Sequence, residues 1–215
     1  HGKTTLADSL KAGGQTQAAA LIYRKLAIEH AYRYGWQARS LQAADSLREI
    51  GADAAAVPFY LRVLSAAGDR AYTPKAITSH NQPHLDAVCK PVAAEMITQA
   101  ATGLNACMPE QCRLSDEQLA QFSSAWHAAL GLTFEPFGQP WRTAWPAIAE
   151  TYPQPWSALA TIAQADCLIR DGECAEAIEL LSALQVDTDV FPAIAQHRYH
   201  GLSRAHLGLR EFDLA

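Results

Sequence analysis

Few stretches of this 215-residue chain set side by side the residue types that perform chemistry. The first is His1-Gly2-Lys3-Thr4-Thr5-Leu6. That order closes a phosphate-binding loop, in which glycine amides wrap phosphates, lysine reaches them and a hydroxyl binds magnesium. Such a loop also needs an earlier glycine, a strand before it and a later strand ending in aspartate. No strand series can be read here, so the stretch is expected to open a helix. Cys107 and Cys112 are the closest pair among five cysteines. They suit a small disulfide or two metal ligands, but zinc takes four, and no second pair or paired histidines stand at a matching spacing. Free thiols are expected, or a disulfide if the protein is exported. His80 and His84 are parted by Pro83, which keeps them from being assigned to one helical face. His197, His200 and His206 lie in one helical stretch with no patterned carboxylate for acid–base work. No serine elbow, zinc-peptidase helix or dinucleotide fingerprint occurs. The expectation is a protein that is not an enzyme, with no catalytic residue, no metal and no cofactor.

The elements that carry these residues are legible from an echo. Ala7-Asp8-Ser9-Leu10 returns thirty-seven residues later as Ala44-Asp45-Ser46-Leu47, and the agreement runs on through Ala18/Ala55, Ala19/Ala56, Tyr23/Tyr60 and Lys25/Arg62. A fixed offset kept by spaced small and large apolar residues marks a structural repeat. Apolar spacing predicts a helix from Thr4 to Ala12, stopped by Gly13-Gly14, and a second from Thr16 to Ala31. The same pair recurs from Ala38 to Ile50 and from Asp53 to Ala67, with Gly51 between. A third copy is read from Thr161 to Arg170 and Glu173 to Leu184 around Gly172, and Cys167 belongs in its core. A fourth begins thirty-eight residues on with Tyr199, Leu202, Ser203 and His206, a packed position, and reaches Phe212 and Ala215 as its second helix starts. The array is expected to continue past both ends of the sequence.

Between these copies the period is lost. Ala71 to Pro83 is polar and proline-marked and reads as a link. A helix is expected from His84 to Ala106, with Pro91 early in it or kinking it. Ser115-Asp116-Glu117-Gln118 is a capping box opening a helix to about Leu130. Phe134 to Trp156, dense in proline and aromatics, reads as a long loop that either plugs the fold or binds. The expected organisation is repeats at 1–72, a divergent helical insert at 73–156 and repeats at 157–215.

Each full copy places a small residue, a large apolar three on, a glycine, an alanine and then a large residue: Ala7, Leu10, Gly14, Ala19, Tyr23; Ala44, Leu47, Gly51, Ala56, Tyr60; Ala165, Leu168, Gly172, Ala177, Leu181. This resembles the tetratricopeptide repeat, without that family's bulky residue near the start of the first helix, where Lys3 and Ser40 stand. The resemblance implies an all-α, right-handed superhelical solenoid of antiparallel helix hairpins, whose first helices line a concave groove that binds protein or peptide. Carried onto this sequence, the groove residues are Asp8, Lys11, Asp45, Arg48 with Glu49, Asp166, Arg170, His200 and Arg204, with Leu41, Ile162 and Ile169 as apolar anchors. His197 is expected to face the same groove. Each full copy thus offers an aspartate and a base three or four places on. Two readings stay open: solvated pairs along one helix, or a polar lining that reads charges on a peptide. The family's clamp for chaperone tails has asparagine where these aspartates stand, so such a tail is not the expected partner.

Nearly half the residues are apolar, 18% are charged and the net charge is −5. This balance points away from nucleic acid and anionic membranes. No apolar run reaches the length of a membrane span, and no charged-then-apolar leader opens the chain. The expected location is the cytoplasm, or the periplasm or exterior if a signal was removed. The expected function is a non-catalytic protein- or peptide-binding scaffold or adaptor. The alternative is a regulatory or sensor arm of a larger signalling NTPase or transcription regulator. A third reading, a small enzyme with its site near Trp141 and Trp145, lacks a catalytic pair.

Overall fold

The computed structural model describes residues 2–29, 36–65, 92–133 and 139–213, and among these the regular structure is entirely helical. The expected link at 71–83, His80, His84, Cys89 and the boundary at 72/73 lie outside the described residues. The described helices are α1 (Gly2–Ala12), α2 (Thr16–Glu29), α3 (Trp36–Glu49), α4 (Asp53–Leu64), α5 (Ala94–Cys107), α6 (Asp116–Leu132), α7 (Trp141–Thr151), α8 (Trp156–Asp171), α9 (Cys174–Ala183) and α10 (Pro192–Asp213). No described helix is long and apolar enough to cross a membrane.

The contacts divide the described residues into two compact units, one from Gly2 to Leu64 and Val92 to Ser123, the other comprising Ser65 and the residues from Ser124 onward. In the first unit α1 packs on α2, α2 on α3 and α3 on α4, and α5 packs on both α3 and α4. The helix ends follow from three glycines. Gly14, Gly51 and Gly172 have φ of 77°, 74° and 87°, a region that costs a side-chain-bearing residue energy and glycine nothing. Each turn repeats one pair of bonds. The amides of Gly14 and Gln15 reach the carbonyls of Lys11 and Leu10 at 3.0 and 2.8 Å; those of Gly51 and Ala52 reach Arg48 and Leu47 at 2.9 and 2.9 Å; those of Gly172 and Glu173 reach Ile169 and Leu168 at 3.2 and 2.9 Å. This glycine cap satisfies carbonyls that the end of a helix leaves open. It turns α1 into α2, α3 into α4 and α8 into α9. The buried faces are those the spacing marks: Ala19, Ala20, Tyr23, Leu26 and Ala27 on α2, and Ala56, Phe59, Tyr60, Leu61, Val63 and Leu64 on α4.

Of the helix expected from His84 to Ala106, residues 84–91 lie outside the described residues, and the described helix starts at Ala94. Val92 and Ala93 are not helical, and Ala93 is extended, with φ −60° and ψ 144°. Extended backbone just after Pro91 fits the poor compatibility of proline with a helix interior. The capping box at the start of α6 forms as the sequence implies. The Gln118 amide donates to Ser115 Oγ at 3.3 Å, and the Ser115 amide donates to Gln118 Oε1 at 3.0 Å.

In the second unit α8 is the central helix and packs on α7, α9 and α10, while α9 also packs on α10. Its buried residues include Trp156, Leu159, Ile162, Ala165, Cys167 and Leu168. The segment read as a long aromatic loop holds α7. Trp141, Trp145, Ile148 and Tyr152 are buried at helical spacing, Pro140 stands just before the helix, and Pro146 is accommodated within it. Trp145 stacks edge-on against Trp126 at 4.8 Å between centroids, an arrangement that adds to the burial of both rings. At the other end α10 runs unbroken through Gly208 to Asp213, so the described residues contain no turn into a second helix there.

The two units share a detail that the sequence spacing does not announce. A following helix packs on both members of a hairpin: α5 on α3 and α4, α10 on α8 and α9. In each case a glycine meets the large residue that closes the repeat pattern. A Cβ at Gly103 would stand 2.2 Å from the Tyr60 ring, and one at Gly201 2.9 Å from Leu181 Cδ1.

Candidate functional site

In the first unit the acidic repeat positions are held by tyrosines. The Tyr23 hydroxyl donates to Asp8, and the Tyr60 hydroxyl donates to Asp45 Oδ1 at 2.5 Å. In both pairs the aspartate lies on the first helix of a hairpin and the tyrosine on the second. Burial, then the hydrogen bond and charge of Asp8, push the Tyr23 phenol up to about 12. Burial and Asp45 push Tyr60 up as well. Asp45 also accepts from Gln99 Nε2 of α5 at 2.7 Å, so three helices meet at this carboxylate.

Lys11 does not pair along its own helix. Its Nζ meets Glu49 Oε1 of α3 at 2.8 Å, with both side chains about two-fifths exposed. Arg48 is exposed beside it in sequence. Leu41 departs from expectation: only 3% exposed, it belongs to the core and offers no anchor to a partner.

In the second unit Asp166 Oδ1 accepts from Arg204 Nη1 of α10 at 2.8 Å, both side chains being largely buried. Arg170 turns to a neighbouring element: its Nη1 donates to the Thr133 carbonyl at 2.6 Å and its Nε to Asp171 at 2.8 Å. Ile162 is 4% exposed and, like Leu41, is corrected from anchor to core residue. His200 is exposed; His197 is half-buried, and burial with the neighbouring His200 holds it below the usual imidazole value. His206, expected to be packed, is exposed, because α10 seats Gly201 and Ala205 inward instead.

The structure therefore brings together Asp8 with Tyr23, Lys11 with Glu49, Asp45 with Tyr60 and Gln99, and Asp166 with Arg204. Lys11 and Arg204 each reach thirty-eight residues along the chain. Sequence reasoning missed the tyrosine hydroxyls, which it took only as apolar bulk, although the Asp8–Tyr23 interval of fifteen recurs at Asp45–Tyr60. It also missed Gln99 and the Arg142 cluster. Arg142 binds Glu173 and Gln139, lies 3.4 Å from Glu176 and covers the Trp141 ring at 4.9 Å. That cluster ties α7 to α9 at the surface.

Among the described residues no group of three or more His, Cys, Asp or Glu side chains is placed to hold a metal. Gly2-Lys3-Thr4-Thr5 is the first turn of α1, so this stretch opens a helix as its sequence leads one to expect. The chain has no match among known protein families, curated proteins or solved structures. What the site offers is charge at fixed intervals: exposed cations at Lys11 and Arg48, and carboxylates oriented by tyrosine or arginine.

Proposed function

We propose that this chain is a tetratricopeptide-like helical-repeat scaffold that binds a protein or peptide along its first helices and catalyses no reaction. The supporting observation is the recurrence of one hydrogen bond: aspartate on the first helix to tyrosine on the second, at Asp8–Tyr23 and again at Asp45–Tyr60. A repeat that reproduces its polar contacts as well as its glycine caps builds equivalent hairpins, and equivalent hairpins stack with equivalent faces aligned. On this reading α5 is the next first helix after α4, with Gly103 against Tyr60, although the thirty-seven-residue period does not reach it.

The binding residues proposed are Asp8, Lys11, Asp45 and Arg48 for the first unit and, for the second unit taken by itself, Asp166, Arg170, His200 and Arg204. Lys11 and Arg48 carry the recognition in the first unit: both residues are exposed, Lys11 in a surface pair with Glu49 that a partner's carboxylate can replace, while the aspartates are held by tyrosines within the fold. A partner with carboxylates spaced to meet two successive first helices suits them.

The test is crosslinking and affinity capture from the native extract with the full chain and with Lys11→Glu/Arg48→Glu. Both substitutions lie on the surface, so helical content by circular dichroism is expected to be unchanged. Partners of the parent chain are expected to be lost by tenfold or more. Capture of the same polypeptides in equal amounts by the variant rejects the groove.

A further inference from the structure

Asp8 and Asp45 stand at the same repeat position, and the Oδ1 of each accepts from the tyrosine fifteen residues on. They differ at the other oxygen. Asp45 Oδ2 accepts from Gln99 Nε2 of α5 at 2.7 Å, whereas Asp8 Oδ2 meets no donor among the described residues. In the second unit the matching carboxylate, Asp166, accepts from Arg204 Nη1 of α10 at 2.8 Å. Both of these other aspartates thus take a side-chain N–H from the helix that follows their hairpin. Burial runs in the same order: Asp166 is buried, Asp45 half-buried and Asp8 exposed.

The helix that follows the first hairpin is α3, and its register accounts for the missing donor. Arg204 meets Asp166, and Glu49 meets Lys11, across thirty-eight residues. The same step from Asp8 lands on Ser46, one turn before Glu49 on α3. A serine side chain lacks the reach of an arginine, and the Ser46 hydroxyl is buried with no hydrogen-bond partner. The charge around the open oxygen is negative. Glu49 acts on the Tyr23 phenol together with Asp8, and Lys11, paired with Glu49, balances one of these two carboxylates.

We propose that Asp8 is the seat for an arginine side chain of a bound polypeptide, which donates to its open oxygen as Gln99 does to Asp45 and Arg204 to Asp166. This rests on the scaffold reading above and adds a base to the partner, beside the carboxylate that meets Lys11. Excess negative charge favours a cation over a neutral amide. A guanidinium suits a carboxylate better than an ammonium does, because its N–H groups form a planar fork and it is more weakly hydrated. Tyr23 already holds the Asp8 carboxylate in one orientation, so less side-chain freedom is lost when the arginine arrives. One exposed ion pair is weak by itself. The seat therefore selects among partners that Lys11 and Arg48 attract.

The probe is Nα-acetyl-arginine amide, titrated into the full ¹⁵N-labelled chain and followed by the backbone amide signals. The matching citrulline amide, a neutral isostere, and the lysine amide are titrated in parallel. Arginine amide is expected to give saturable shifts on α1 around Asp8 and on α3 from Ser46 to Glu49, with none around Asp45, where Gln99 already stands. Asp8→Asn keeps an oxygen for Tyr23 and removes the charge, and is expected to weaken arginine-amide binding about tenfold. Citrulline amide is expected to give no saturable shift, and lysine amide a weaker one. Equal binding of citrulline amide, undiminished binding to Asp8→Asn, or equal shifts around Asp45 overturns the seat. Capture from the native extract separates this outcome from failure of the scaffold reading. Partners lost by Lys11→Glu/Arg48→Glu but fully retained by Asp8→Asn leave the scaffold standing and overturn the seat. If the parent chain captures no polypeptide, the scaffold reading falls, while the titration still decides whether Asp8 holds a guanidinium.

Discussion

Tyr23 and Tyr60 bury a ring and aim the hydroxyl at a carboxylate, and this combination makes their ionisation a property of the fold. A phenolate beside Asp8 in a buried position is disfavoured twice, by desolvation and by like charge, and Tyr23 is raised from 10.0 to about 12. The folded state therefore prefers the neutral phenol more strongly than the unfolded chain does. Its contribution to stability is complete below pH 10 and is lost as the pH climbs toward 12. Tyr23→Phe cannot ionise. It should lose about 1 kcal/mol near neutral pH with the hydrogen bond, yet its stability should fall less steeply than the parent's across that alkaline window. Urea-denaturation midpoints at a series of pH values decide this, and parallel curves for parent and variant would contradict it. The carboxylates at these positions were legible from the repeat. The hydroxyls were not, because a tyrosine at an apolar repeat position reads first as bulk.

At the level of helices, the caps and faces of α1 to α4 and of α8 and α9 follow from Gly14, Gly51, Gly172 and the alanines between them, and the sequence showed them. It did not show α7, because the five prolines between Phe134 and Trp156 outweigh an aromatic spacing of four and seven that is itself helical. Nor did it show what α5 packs against: the residue that seats α5 is Gly103, and a glycine inside a helix carries no apolar signal. Packing makes the requirement testable. At Gly103 a methyl group would enter the Tyr60 ring, which Asp45 holds in place. At Gly201 it would meet the end of a flexible leucine side chain at 2.9 Å. Gly103→Ala is therefore expected to destabilise by about 3 kcal/mol, as overpacking does when the neighbour cannot move. Gly201→Ala should change stability by less than about 1 kcal/mol, since the better helix propensity of alanine offsets the contact. Thermal unfolding of both variants settles the ranking, and equal shifts would mean that Tyr60 yields as readily as Leu181.

For the whole chain, a net charge of −5 says less about recognition than the way individual charges are deployed. The Asp166–Arg204 pair is largely buried and is only weakly screened, whereas Lys11 and Glu49 sit about two-fifths exposed and contribute little to stability. Salt should therefore separate folding from binding. Raising ionic strength from about 0.05 to 0.5 M shortens the screening length to a few ångströms. That leaves the buried pair and the helical content in place and removes the attraction between Lys11, Arg48 and an acidic partner. Capture of the partner by the full chain is expected to fall by tenfold or more over that range, with little change in the circular dichroism signal. The Lys11→Glu/Arg48→Glu variant should show almost no residual dependence, because the charges that respond to salt have been reversed. Capture that is indifferent to salt in the parent chain would place recognition on apolar surface. It would then shift attention from the cations of α1 and α3 to exposed residues such as Leu21 and Ile28 on α2.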